Sequence, residues 1–221
     1  MKEVERRFSD ETIKAFEGLN SYLRHKALGN VNTATLALEL IKYESEVNLV
    51  DIASNSLSNL SLMLIRSHEL QSIFELNEKK FAIKEIIKII WQNYRKESIS
   101  IEYTGETKVL LSNFFGNIFS CFIRNSFVNR GANKIVIHNE VKGNYLIMKI
   151  MDNGDNLPIN LIEEIKNDSK FSSKKHPESD VDIFIAKEIL KAHKVMLDLG
   201  FNDSKGGIFT LQLTQEYFTV D

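Results

Sequence analysis

The sequence predicts an α plus α/β protein. An antiparallel helical hairpin pairing into a dimeric four-helix bundle comes first, and a two-layer α/β sandwich follows. Three observations predict it. Only two prolines occur, Pro158 and Pro177, and before about residue 96 there are just two glycines, Gly18 and Gly29, so long helices can persist there. Apolar residues in that stretch recur at three- and four-residue steps. Beyond residue 81, short alternating strands and amphipathic helices are punctuated by hairpin turns. The expected boundary divides the chain into 1–76 and 77–221.

The first helix is expected from Ser9 or Asp10, either of which could cap it, to about residue 44. At about 100° per residue, Leu19, Leu23, Ala27, Val31, Ala34, Leu38 and Ile41 fall within about 60° of Phe16. A polar turn at 45–48 leads to a second helix over 49–73, with Leu49, Ile52, Ala53, Leu57, Leu60, Leu64 and Ile65 at helical steps. Two helices enclose little core. The stripe therefore calls for a second copy of the chain, or alternatively for the chain's own C-terminal half.

Residues 81–96 read as an amphipathic helix, 99–103 as a strand and 110–128 as an apolar helix. Strands over 134–140 and 145–151 flank the turn Lys142-Gly143-Asn144, and a loop follows at 152–156. A short helix over 159–167, a polar segment 168–179 and a helix over 181–193 precede two strands, 195–200 and 208–214, joined across Lys205-Gly206-Gly207. Hairpins in place of regular βαβ alternation indicate a mixed sheet covered by helices.

Composition excludes several classes. The 28 basic and 30 acidic residues nearly balance, which argues against a dominant nucleic-acid or anionic-membrane surface. A lone cysteine, Cys121, excludes an internal disulfide and a cysteine-based zinc cluster. No run approaches about 18 uninterrupted apolar residues, and MKEVERRFSDE lacks the apolar core of a secretory signal. The expected location is the cytoplasm, with neither nucleic acid nor membrane as partner.

His25 lies nine positions after Phe16, about 180° from the centre of the apolar stripe, and shares its face with Tyr22, Gly29, Asn32 and Leu36. Glycine inside a helix costs about 1 kcal/mol relative to alanine, so Gly29 suggests room kept for another molecule near the imidazole. A neutral imidazole can attack phosphorus to give a labile phosphoramidate. A solvated surface histidine beside a tolerated glycine is the local alternative. His68, His138, His176 and His193 show no metal-ligand spacing.

Leu23-Arg24-His25-Lys26-Ala27-Leu28-Gly29-Asn30, with an apolar helix ending Leu38-Glu39-Leu40, resembles the phosphoacceptor box of two-component sensor histidine kinases. Asn117-Ile118 through Ile123-Arg124-Asn125-Ser126-Phe127-Val128-Asn129 is similar to their N box, and Asp152-Asn153-Gly154 with Leu157-Pro158 to their first glycine box. Phe171-Ser172-Ser173-Lys174-Lys175 resembles the ATP lid, and Ile185-Ala186-Lys187-Glu188-Ile189-Leu190 the helix after the second glycine box. The resemblance implies a dimerising phosphoacceptor hairpin and a GHKL-type, Bergerat-like ATP-binding sandwich. It makes His25 the phosphoacceptor. It also implies that Asn125 holds Mg²⁺ and phosphate oxygens, that Asp152 accepts from the adenine amino group, and that Gly154 admits the base.

The departures gather in the nucleotide site. Aligned backward from Ile185, the two glycines nearest the helix become Asp180 and Asp182. Such glycines expose backbone N–H groups to the triphosphate at a helix N-terminus, whereas carboxylates there would cap the helix and repel it. Each like-charge pair at about 4 Å costs on the order of 4 kcal/mol at an effective dielectric near 20. The second glycine of the first box is Asn156, the N-box position often basic is Asn129, and the acid usually following the phosphoacceptor is Lys26. Lys26 suits steadying a phosphoryl group better than accepting a proton.

The expected function is that of a histidine phosphotransferase in a two-component phosphorelay. A cytosolic homodimer would move phosphoryl groups between response-regulator aspartates through His25, with no cofactor and with Mg²⁺ supplied by the receiver domain. A chain starting close to its hairpin, without sensor or anchor, fits that expectation. Receiver docking is expected at Tyr22, His25, Gly29 and Asn32. The alternatives are a divergent autokinase binding Mg-ATP through Asn125, Asn129, Asp152, Gly154 and Lys174, and a non-catalytic dimer that binds a regulator.

Overall fold

The computed structural model describes residues 9–41, 47–71, 74, 79–93, 99–105, 109–201 and 205–220. Helix α1 spans Asp10–Ile41. Ser9 is its cap: the Thr12 N–H donates to Ser9 Oγ at 3.2 Å, with Asp10 and Glu11 in the first turn. Residues 42–46 lie outside the described ones, and with them the first half of the expected turn. Helix α2, Val47–Gln71, starts two residues earlier than expected. Ser67 donates to Asn20 Oδ1 at 3.1 Å, tying the end of α2 to the beginning of α1 as in an antiparallel hairpin.

The apolar stripe is shared between two neighbours. Leu19 and Leu23 of α1 and Met63 and Leu70 of α2 are buried in the same core cluster as the sandwich, while Ala34, Ala37 and Ala53 are buried farther along the hairpin. One end of the hairpin thus folds back onto the chain's own C-terminal half. Farther along, Leu28, Leu36, Val50, Leu57 and Leu64 are exposed, Leu28 at 66%.

The sandwich runs β1 (Lys80–Ala82), α3 (Ile83–Asn93), β2 (Ser100–Tyr103), β3 (Val109–Ser112) and α4 (Phe115–Arg124). After a π-helical turn, Asn125–Asn129, come β4 (Lys134–Lys142), β5 (Tyr145–Asp152) and α5 (Ile159–Lys166). A 3₁₀ turn, Glu178–Asp180, leads into α6 (Val181–Ala192), β6 (Met196–Phe201), β7 (Gly207–Thr214) and β8 (Phe218–Val220). The main sheet has the order β2-β4-β5-β7-β6, with β2 parallel to β4 and the other pairs antiparallel. Its inner face alternates as period two requires: Ile135 and Ile137, then Leu146, Met148 and Ile150, then Phe209, Leu211 and Leu213 are all fully buried. Helix α4 covers that face, with Phe122 stacked on Phe209 at 4.4 Å.

The expected apolar helix over 110–128 is a strand, a helix and a π turn. Val109–Ser112 pairs with both β1 and β8 in a three-stranded antiparallel sheet. A short apolar run fits a buried strand as well as a helix, and the partners Lys80–Ala82 and Phe218–Val220 decide it here. For the same reason the helix expected from 81 begins at Ile83.

Candidate functional site

Side chains of functional type gather in two places, the outer face of α1 and the cleft between the π turn and β5. His25 is exposed on α1, as are Gly29 and Asn32. A Cβ built on Gly29 would meet nothing within 4 Å, so the chain's own packing does not require glycine there. Its neighbours Tyr22 and Lys26 turn toward the sandwich instead. Tyr22 is half-buried with its ring 4.9 Å from Phe171, and Lys26 Nζ lies 3.2 Å from Glu178. That hydrogen bond to Glu178, helped by Tyr22, raises the Lys26 pKa. Burial, then Glu178, raises the Tyr22 phenol.

Phe171 and Glu178 bracket the lid-like segment, and the segment is fixed. His176 Nδ1 accepts from the Ser172 N–H at 2.8 Å, which leaves Nε2 to donate to Glu164 at 2.5 Å. Phe171 packs edge-on against Phe184 of α6 at 5.5 Å. The Ser179 carbonyl accepts from Asn125 Nδ2 at 3.0 Å and Asn129 Nδ2 at 2.8 Å. Lys174 is exposed on this segment, at a distance from neither anchor greater than a few residues of chain.

The cleft is filled from within. Arg130, which closes the π turn, is buried, and its guanidinium donates to Asn125 Oδ1 at 3.0 Å, Ser126 Oγ at 3.0 Å and the Asp155 carbonyl at 2.7 Å. It also pairs with Asp152 Oδ2. The remaining carboxylate oxygen of Asp152 accepts from the N–H groups of Gly154 at 2.9 Å and Gly207 at 3.2 Å. A Cβ at Gly207 would stand 2.8 Å from Arg130 Nη1. At Gly206, where φ is +105°, it would stand 1.9 Å from the Asp152 carbonyl oxygen, so that position demands glycine. The side chains expected to receive Mg-ATP are thus engaged within the chain. Asn125 has its oxygen on Arg130 and its amide on Ser179, while the guanidinium occupies the acceptor side of Asp152.

The expectation that Asp180 and Asp182 cap α6 and repel phosphate from its end is corrected. Neither makes a side-chain capping bond. Asp182 is fully buried and its carboxylate is neutralised twice. Arg66 of α2 donates to it through Nε at 2.9 Å and Nη2 at 2.8 Å, and Arg124 of α4 through Nε at 2.9 Å and Nη2 at 2.7 Å. Arg124 also holds Glu69 of α2 at 3.1 Å through Nη1, and Arg66 Nη1 reaches Glu178 at 3.5 Å. Burial pushes the Asp182 carboxyl up, but Arg124 and then Arg66 outweigh it and hold it below the usual range. Burial raises Glu69, and Arg124 only partly offsets it. Glu69, Cys121 and Asp182 lie close enough to suggest a metal. The arginines already use the carboxylates, and burial pushes the Cys121 thiol well above its ordinary value, so the cluster is an ion-pair core.

His25 and Lys26 lie on α1 and the expected nucleotide-site residues line the cleft, while Arg66, Glu69 and Arg130, and the pairing of Arg124 with Asp182, were not singled out from the sequence. No family model matches the chain, and no curated protein matches it. Solved structures do. The histidine kinase AdeS of Acinetobacter baumannii superposes with a TM-score of 0.63 at 16% identity, over 86% of this chain and 97% of that one. The histidine kinase ThkA, solved in complex with the response regulator TrrA, gives 0.66 at 15% identity, over 92% of this chain and 63% of that one. A bacterial phosphotransferase gives 0.57 at 13% identity, over 92% and 97%. The fold is that of histidine kinase catalytic cores, hairpin and ATPase-like sandwich together. Among the described residues, no helix is long and apolar enough to cross a membrane.

Proposed function

We propose that this protein is a histidine phosphotransferase of a two-component phosphorelay, passing phosphoryl groups between response-regulator aspartates through His25 without using ATP. One observation carries the reading: the side chains that would receive Mg-ATP are engaged by the chain's own Arg130 and Ser179 carbonyl, whereas the imidazole is open to solvent. That ThkA is a histidine kinase solved with a response regulator supports a receiver domain as the partner. The exposed aliphatic residues of the hairpin, Leu28, Leu36, Val50, Leu57 and Leu64, support closure of a four-helix bundle by a second copy.

The chemistry asks little of the chain. A lone pair on one His25 ring nitrogen attacks the phosphorus of an aspartyl phosphate. The P–N bond forms as the acyl P–O bond breaks, the aspartate leaves as a carboxylate, and the other ring nitrogen keeps its proton. Return to a second aspartate reverses each change. The protein contributes a rigid helix for in-line positioning, and the open side of Gly29 leaves room for the receiver.

Two measurements test the reading. Incubation with radiolabelled phosphorylated receivers is expected to label the protein, and incubation with Mg-ATP is not. Calorimetric titration with Mg-ATP is expected to show no binding up to about 1 mM, equivalent to affinity weaker than about 4 kcal/mol. Micromolar affinity with self-labelling would establish the autokinase instead. Tight receiver binding without label would leave a non-catalytic dimer.

A further inference from the structure

Lys174 and Lys175 would meet nucleotide phosphates in an ATP lid, yet Asn125 and Asp152, the side chains expected to hold that nucleotide, are engaged by Arg130. Their position suggests another ligand. The segment that carries them touches α1 through Phe171 on Tyr22 and through Glu178 on Lys26. Those two contacts are four residues apart, about 6 Å along the helix axis, and His25 lies within that span, about 60° around the helix from Tyr22. The segment 171–178 thus meets α1 three residues before His25 and one residue after it.

The segment is held there from several sides. Glu164 and the Ser172 N–H fix His176, Phe184 backs Phe171, Asn125 and Asn129 hold Ser179, and buried Arg66 reaches Glu178. Nearby lysines are spent on acids: Lys170 on Glu11, and Lys187 and Lys191 on Asp168. Among the described residues, neither Lys174 nor Lys175 forms an ion pair, and both are exposed. Two exposed cations thus sit on a held segment whose ends meet α1 at Tyr22 and Lys26.

We propose that Lys174 and Lys175 form a docking contact for the acidic face of the receiver domain that exchanges phosphoryl groups with His25. The inference rests on the relay reading above and extends it, because it gives the sandwich a part in partner recognition. An aspartyl phosphate and the carboxylates that hold its divalent cation make that face of a receiver anionic, and two exposed lysines on a segment that meets α1 around His25 complement it. Contacts of this kind, at the rim of an interface, act mainly on association and are weakened by salt.

The test uses the full-length chain and a panel of purified receiver domains phosphorylated by acetyl phosphate, with excess donor removed. Wild type is compared with Lys174→Glu/Lys175→Glu, and with Lys142→Glu as a remote control. Direct labelling by potassium phosphoramidate, which releases ammonia and needs no docking, runs in parallel. At low ionic strength and subsaturating receiver, the double variant is expected to accept label about tenfold more slowly, with the deficit shrinking in high salt. Its rate at saturating receiver and its labelling by phosphoramidate should match wild type. Equal subsaturating rates for wild type and the double variant overturn the docking contact alone. Slower phosphoramidate labelling also overturns it, because the turn then shapes His25 itself. If phosphoramidate labels wild type and no receiver does, the relay reading falls and this inference with it.

Discussion

Replacing Asp182 with alanine is expected to cost about 3–5 kcal/mol of stability, the range for removing one partner of a buried ion pair. Asp182 is fully buried and answers two arginines at once, and Arg66 is itself only 2% exposed. Without the carboxylate, among the described residues Arg66 keeps a 3.5 Å contact to the half-exposed Glu178, and Arg124 keeps Glu69 and a 3.9 Å contact to Cys121 Sγ. Because Arg66 lies on the hairpin and Asp182 on the sandwich, the loss should also loosen one from the other. Urea denaturation reads the first effect, and amide exchange along α2 reads the second. An Asp182→Ala variant within 1 kcal/mol of wild type would remove the case for a clamp. Refilling the site with apolar residues at positions 66, 69, 124 and 182 together should recover much of the loss, as buried ion pairs often permit.

The same site sets an acid limb. Asp182 has a folded pKa below its ordinary 3.8, so the stability it contributes is present above that value and is lost as pH falls through the folded pKa. Glu69 has the opposite sign. Its folded pKa lies above the ordinary 4.5, so the fold binds the proton more tightly, and stability from this group falls as pH rises through that window. Denaturation midpoints compared across pH 3 to 6 should therefore show wild type losing its advantage over Asp182→Asn below about pH 4 and not before. An advantage that declines already between pH 6 and 5 would assign the wrong group.

The hairpin and most of the sandwich are legible in the sequence because their patterns are long. Thirty-two residues of α1 repeat a helical period, and β4 and β5 alternate over nine and eight residues. The three-stranded sheet was not legible, since its strands are three or four residues each and lie in or beside apolar runs that suit a helix equally. The site divides in the same way. His25 shows as a polar residue opposite an apolar stripe, a local fact. Arg130 follows the N box at a helix end, where arginine is ordinary. Only the return of β5 and β7 beside it reveals that it is buried. A signal did exist for the clamp. Asp182 sits inside Val181-Asp182-Ile183-Phe184-Ile185-Ala186 and Arg124 inside Cys121-Phe122-Ile123-Arg124, each a charge in an apolar run. A charge so placed is either exposed at an edge or paired across the core, and the pairing needs tertiary structure to be seen.

Substitution of His25 by glutamine should abolish receiver-dependent labelling, by at least about a thousandfold, since it removes the attacking lone pair and keeps a polar side chain of similar size. The other histidines make the comparison sharp. His176 has both ring nitrogens engaged, by the Ser172 N–H and by Glu164. His193 is stacked 4.1 Å from Phe114, and His138 Nδ1 is 3.1 Å from Thr104 Oγ1. His68 alone among them is as exposed as His25, on the last turn of α2, so it is the proper control. Phosphoramidate, a small donor, can reach both His25 and His68, whereas a receiver domain must dock and should reach only His25. His68→Gln is therefore expected to take label from receivers at the wild-type rate while losing part of its chemical labelling. Receiver-derived label surviving in His25→Gln, or vanishing in His68→Gln, would move the acceptor to α2 and undo the reading built on Gly29, Lys26 and the fixed turn beside them.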